Sequence, residues 1–219
     1  MNFTFLNKYF EYYLKGAEIT IVLAFFAVLF GTILGLGVTL LRRSKFKIIK
    51  FIGTAYVEFV RGTPLLVQIY IIYIGLPNLI GLDLPDMTVG IVALSLNSAA
   101  YVSEIIRAGI EAVDKGQMEA ARSLGMNQRM AMFQVVIPQA FKNILPALGN
   151  EFISVIKESS LVSVIGVAEL MYNAGIVRGN TALGLEPIVV AAIIYFIITF
   201  TLTRALKCVE RRMKASDIR

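Results

Sequence analysis

Long apolar stretches alternate with short polar ones along this chain, and the clearest, Ile19 to Leu41, carries no charged residue. A hydrocarbon core of about 30 Å is crossed by roughly 20 helical residues, so this stretch is a first membrane span. Comparable runs predict a second span near Phe51 to Gly75, a third from Met87 to Arg107, a fourth from Ile137 to Lys157, and a fifth from Pro187 to Arg204. Gly31 and Gly35 in the first span are spaced for close approach by another helix, although glycines are common in membrane helices. The second span carries Glu58 and Arg61, three residues apart and on one helix face, which reads as a structural pair. Pro64 then removes a backbone donor and bends the helix. Gly62, Thr63 and Pro64 either open the helix to a polar path, as broken helices do in transporters, or form a packing kink. The fourth span holds Lys142, Asn143, Asn150 and Glu151, too polar for lipid on every side, and is expected in the protein interior.

The connections assign the sides. Arg42, Arg43, Lys45, Lys47 and Lys50 follow the first span, and the tail 205–219 is also basic. The loop 76–86 has no base and two acids, Asp83 and Asp86. Basic short loops mark the cytoplasmic side, which predicts an N-terminus outside and a C-terminus inside. Residues 1–18, with mixed charge and six aromatic rings, are no cleaved signal peptide and read as an interfacial amphipathic helix. The segment Leu161 to Leu170 is too apolar for an exposed loop and is expected to be a helix buried against protein. No internal repeat divides the chain, so residues 1–219 form one domain: a five-span, all-α integral membrane protein.

Composition excludes several classes. Hydrophobic residues make up 57% and charged residues 16%, well below the roughly 25% charge of soluble domains; mean hydropathy is +0.74. The net charge of +6 sits beside apolar spans rather than in a nucleic-acid-binding patch. One cysteine, Cys208, and no histidine leave no disulfide and no zinc site. There is no phosphate-binding loop, no nucleophile elbow and no histidine base. Catalysis and nucleotide binding by this chain are therefore not expected, and uphill transport would draw energy from a partner or an ion gradient.

The cytoplasmic stretch 111–136 is the most ordered of the polar connections. Glu111 to Arg122 reads as a weakly amphipathic helix, Gly125 ends it as a left-handed cap, and Met126 to Val135 reads as a second short helix. Periodicity alone fits two roles equally: a contact that transmits force to a partner, or a helix lying on the inner leaflet through Arg122 and Arg129.

Glu119-Ala120-Ala121, then Gly125, then Val135-Val136-Ile137-Pro138 resembles the signature by which membrane subunits of ABC importers dock onto a separate ATPase. Val135 and Ile137 stand where isoleucine and leucine are usual. Ser98 to Ile110, Lys115-Gly116-Gln117, Arg61 to Gln68 and Lys157 to Leu161 resemble the polar amino acid branch of these permeases, over about residues 15 to 210. The resemblance implies a five-helix core in the bacterial cytoplasmic membrane, with two such subunits, identical or closely related, around the path. It further implies two ATPases, holding ATP and magnesium, on the inner side, and a solute-binding protein outside. It implies that Glu119, Ala120, Ala121, Arg122 and Gly125 meet the ATPase, with no cofactor on this chain.

Buried polar residues in a membrane are candidates for function. Asn97 and Ser98 lie roughly 15 Å into the third span, and antiparallel packing brings Glu151 to a similar depth. Glu151, helped by Asn97, Ser98 and Tyr101 and by the opened Gly62-Thr63-Pro64, is expected to bind the cationic part of an amino acid substrate. The competing assignment is an internal salt bridge from Glu151 to Arg61, Lys142 or Lys157. Two other functions remain open from the residues: a secondary transporter with Glu151 as proton carrier, and a membrane scaffold without transport.

Overall fold

The computed structural model describes residues 3–215, with side chains through Met213. All regular structure among these residues is helical: α1 (Leu6–Arg42), α2 (Lys47–Gly62), α3 (Leu65–Ile80), α4 (Asp86–Glu111), α5 (Lys115–Ser123), α6 (Gln128–Ala131), α7 (Ile137–Glu158), α8 (Leu170–Thr181) and α9 (Glu186–Ala215). A π turn, Met132–Val136, leads into α7, and a 3-10 turn, Ser159–Ile165, follows it. Helices α1, α4 and α9 are each long and apolar enough to cross a membrane, while α2–α3 and the α7–α8 region form bent pairs.

Three boundaries differ from the sequence reading. The segment 1–18 is no separate interfacial helix, because α1 runs unbroken from Leu6. Nothing in Leu6–Arg42 breaks a helix, and its first turns are held by contacts with α8 and α9. The Tyr13 hydroxyl donates to Pro187 O at 3.1 Å, and Leu170 N donates to Thr20 Oγ1 at 3.2 Å. The second span is no bent helix but two helices at 114°. At the tail, α9 continues past Arg204 to Ala215, and 216–219 lie outside the described residues.

The centre of the bundle is a dry cluster. Leu23, Ala24 and Ala27 of α1 meet Val89, Ala93 and Leu94 of α4, Val155 and Ile156 of α7, and Val162 and Ile165 of the 3-10 turn. A second cluster joins Phe5 and Tyr13 to Leu170, Ala174, Val177 and Ala191. The stretch Leu161 to Leu170 is buried as expected at Val162, Ile165 and Val167, but it is a 3-10 turn, Ser159–Ile165, and an irregular link rather than a helix, and α8 begins only at Leu170. Gly31 and Gly35 stand at the α1–α4 crossing. A Cβ on Gly31 would lie 2.9 Å from Ser98 Cβ, and one on Gly35 would lie 2.8 Å from Val102 Cβ. Apolar surface is still broadly exposed, as at Ile33, Phe51, Ile74 and Phe196, which suits a chain solvated by lipid and by other membrane chains.

The fourth span is only partly interior. One face of α7 packs on α4 and α9, with Asn143 Nδ2 donating to Gly109 O of α4 at 3.4 Å, while Lys142 and Asn150 are exposed. Their polarity suits an open face rather than a lipid surface.

Gly35→Leu forces atoms into the space of Val102 and of the Ala99 carbonyl. Overpacking of this kind costs about 1–3 kcal/mol. The melting temperature of the detergent-purified protein should fall, while Gly37→Leu, at a position with open space, should leave it in place.

Candidate functional site

The break between α2 and α3 sets the first part of the site. Thr63 is extended (φ −120°, ψ 149°) and Pro64 caps α3, since a residue before proline avoids the helical region. Helix ends leave carbonyls without partners, and Gln68 takes them: its Nε2 donates to Val60 O at 2.8 Å, Thr63 O at 3.1 Å and Thr63 Oγ1 at 2.9 Å. The Thr63 hydroxyl in turn donates to Phe59 O at 2.8 Å. Of the Gly62-Thr63-Pro64 segment, the Thr63 carbonyl and hydroxyl are thus engaged within the chain at the break.

Asn97 belongs to that same knot. It is 4% exposed and its Nδ2 donates to Gln68 Oε1 at 2.9 Å. It therefore braces the broken helix and does not join Glu151. Ser98 does: its hydroxyl donates to Glu151 Oε1 at 2.8 Å. The depth of the two antiparallel helices was legible in the sequence, but adjacent residues point about 100° apart around a helix, and only one of the pair faces α7. Ser98 is fully buried between Gly31 and Glu151, whereas Glu151 is half-buried beside the open face of α7.

The charges pair differently from the sequence reading. Arg61 does not pair with Glu58, which is exposed. Its Nη1 lies 3.2 Å from Glu104 Oε2, and its guanidinium stands 5.7 Å from the Tyr101 ring centre. Glu104 also holds Arg42 and Arg107, so one carboxylate ties α1, α2 and α4 together. Neither Glu104 nor Gln68 was singled out in the sequence, where both lay inside longer motifs without a visible partner. Glu151 takes part in no ion pair among the described residues. The proposed internal bridge to Arg61 is therefore absent, and the cation is spent on Glu104. Tyr101, one turn from Ser98, is exposed and has its ring against Arg61 of α2.

The second part of the site is the α5–α6 hairpin. Its first helix starts at Lys115, not Glu111, because Asp114 caps it by accepting from Gly116 N at 2.7 Å. Glu111 is the last residue of α4. Gly125 (φ +89°) closes α5, with Met126 N donating to Ala121 O at 3.2 Å and Gly125 N to Arg122 O at 3.0 Å, the paired bonds of a Schellman end. Asn127 then caps α6 through Met130 N. The π turn follows from Pro138: lacking an N–H, it cannot close the helical bond, and Ile137 N donates back to Met132 O.

Glu119, Ala120 and Arg122 are exposed on this hairpin, while Ala121 is 4% exposed and packs inward. Ala121 is thus part of the hairpin's own core. The sequence reading missed the apolar residues that stand out beside them: Leu124 is 83% exposed and Phe133 60%. The hairpin is linked to α7, since Gln139 Nε2 at the start of that helix donates to Gln117 Oε1 at 3.0 Å.

Residues 16–215 match the family model described as "Binding-protein-dependent transport system inner membrane component". The arginine transport system permease protein ArtQ of Bacillus subtilis (strain 168) is 45% identical over 207 residues, 93% of each chain. The probable glutamine ABC transporter permease protein GlnM of the same organism is 38% identical over 216 residues, 99% of this chain and 100% of its own. A solved structure, "Crystal structure of an amino acid ABC transporter with histidines", has a TM-score of 0.91 at 50% identity, covering 97% of this chain and 100% of that one. The MetNI methionine ABC transporter in an inward-facing form has a TM-score of 0.76 at 18% identity, over 91% of this chain and 95% of that one, and shares the fold.

Gln68→Leu strips the partners from Asn97 and from the carbonyls at the break. Each buried group left unpaired costs about 1–3 kcal/mol. Thermal unfolding of the purified variant should show a clear loss, larger than that of Thr63→Val, which removes fewer of these bonds.

Proposed function

The chain belongs to the family of binding-protein-dependent transport system inner membrane components, and from that premise we propose that it is the permease subunit of an ATP-driven importer of polar, mainly basic, amino acids. The observation that carries the substrate reading is Glu151: a half-buried carboxylate in a membrane helix, bonded by Ser98 and without a counter-ion among the described residues. An uncompensated carboxylate in that setting is costly and is relieved by a cation. The α-ammonium, guanidinium or ε-ammonium of an amino acid supplies one, with Tyr101 and Ser98 beside it. The relatives named for arginine and glutamine transport agree with an amino acid substrate.

The reading extends to partners. A binding-protein-dependent system includes an ATPase and a solute-binding protein. We place the ATPase against α5 and α6, where Glu119, Ala120 and Arg122 supply polar contacts and Leu124 and Phe133 an apolar one. Gln117 and Gln139 would pass its movement to α7, and Glu151 lies about 18 Å further along that helix at 1.5 Å per residue. The polar open face of α7 suits a second permease subunit, identical or related, completing the path. The basic loops support an orientation with the hairpin and C-terminus in the cytoplasm and the N-terminus outside. ATP and magnesium belong to the partner, and alternating access moves the solute.

Glu151→Gln keeps the shape and the Ser98 contact but removes the charge. A hydrogen bond to a charged group contributes about 1.5–3 kcal/mol, so uptake of arginine or lysine into proteoliposomes holding the whole transporter should fall tenfold or more. Unchanged uptake would sink the substrate assignment. Leu124→Asp should leave insertion intact and weaken ATPase association by about thirtyfold, the scale of an interface hot spot. Co-purification of the ATPase at the normal ratio would count against the docking site.

A further inference from the structure

Where α1, α2 and α4 meet, the structure holds a cleft of about 340 Å³ that the Glu104 cluster borders but does not fill. Arg42, Arg43, Lys50 and Arg107 line it, against one acid in the lining, Glu111. The four cations differ in what they are free to do. Arg42 is held by Glu104, and Arg107 by Glu104 and Glu111. Arg43 and Lys50 have no ion-pair partner among the described residues. Thr39, Thr54 and Ser103 add hydroxyls to the walls. Positive charge in excess of the two acids, combined with guanidinium forks, matches a tetrahedral phosphate.

The position of the cleft identifies the source of that phosphate. Next to Lys47 and Lys50, α2 carries Ile48, Phe51 and Ile52, which are 76%, 71% and 56% exposed, and Phe46 ahead of it is 72% exposed. A helix with exposed aromatic and branched apolar residues beside lysines lies at the boundary between headgroups and acyl chains. An adjoining groove of about 410 Å³, bordered by Ile33, Leu34, Val38, Leu41, Ile52 and Leu96, has no charged residue in its lining. The basic cleft therefore stands at headgroup depth with an apolar surface beside it. We propose that this cleft binds the phosphodiester of an anionic phospholipid. The lipid braces the ends of α1 and α4 against α2, next to the Arg61–Glu104 contact that anchors the helix break.

The test uses the complete transporter, reconstituted into nanodiscs of phosphatidylcholine with graded phosphatidylglycerol and then released into detergent for native mass spectrometry. Wild-type protein retains phosphatidylglycerol in preference to phosphatidylcholine. The double variant Arg43→Gln/Lys50→Gln loses about fivefold in retention per cation, about thirtyfold in all. Lys45→Gln/Lys47→Gln removes the same charge outside the cleft lining and leaves retention unchanged. Arg43→Lys/Lys50→Arg keeps the charge and keeps the lipid. Equal retention by wild type and the Arg43/Lys50 glutamine variant overturns the proposal, as does an equal loss in the Lys45/Lys47 variant. Displacement of the lipid by excess inorganic phosphate assigns the cleft to the free anion and overturns the lipid reading too.

Discussion

At the crossing of α1 and α4, Cβ atoms on Gly31 and Gly35 would lie 2.9 and 2.8 Å from those of Ser98 and Val102. In a bilayer, helices gain nothing from hiding apolar surface from one another, so close van der Waals contact carries much of the association. Two glycines one turn apart permit that contact. The approach seals Ser98 between α1 and α7, and so fixes the direction of its hydroxyl towards Glu151. It also brings Arg42 and Thr39 within reach of Glu104 and Ser103.

The same medium explains where the polar groups go. Without water, a broken helix must find partners for its own carbonyls, and Gln68 gathers those at the α2–α3 break while Asn97 fixes Gln68 in turn. Charges follow the same rule, with three arginines drawn to one carboxylate at Glu104. Glu169, fully buried, is met by the amides of Met171 and Tyr172 and by the Tyr195 hydroxyl. Against this background two carboxylates of α7 stand apart: Glu158, half-buried and in no ion pair among the described residues, and Glu151. Glu151 has a single bond from a serine, no counter-ion among the described residues, and an open side. That contrast separates groups that hold the bundle together from the group proposed to meet a solute.

The hairpin shows how local chemistry builds a small unit of fixed shape. Asp114, Gly125 and Asn127 each satisfy a helix end, so α5 and α6 keep their shape without a large core. Ala121 and Ala131 are buried within it, and Leu124 and Phe133 are turned outward. The Gln117–Gln139 bond joins the hairpin to α7. In the proposed mechanism a push on α5 reaches the Glu151 helix by that route.

The residues alone determined what depends on neighbours along the chain. Apolar run length against bilayer thickness gave the long apolar helices α1, α4 and α9, Pro64 the break, and Gly125 the end of α5. Each follows from backbone geometry or from the solvent. Tertiary structure decided which of several eligible partners each polar group takes. The spacing of Glu58 and Arg61 allowed a pair, yet a better-sheltered acid on another helix, Glu104, captured the arginine. Asn97 and Ser98 were equally deep, and only the rotation of α4 assigned one to the helix break and the other to Glu151. The continuity of α1 was settled in the same way, by α8 and α9 packing on its first turns. Contacts between helices far apart in sequence leave no periodic trace along the chain, so they became visible only when the helices were packed.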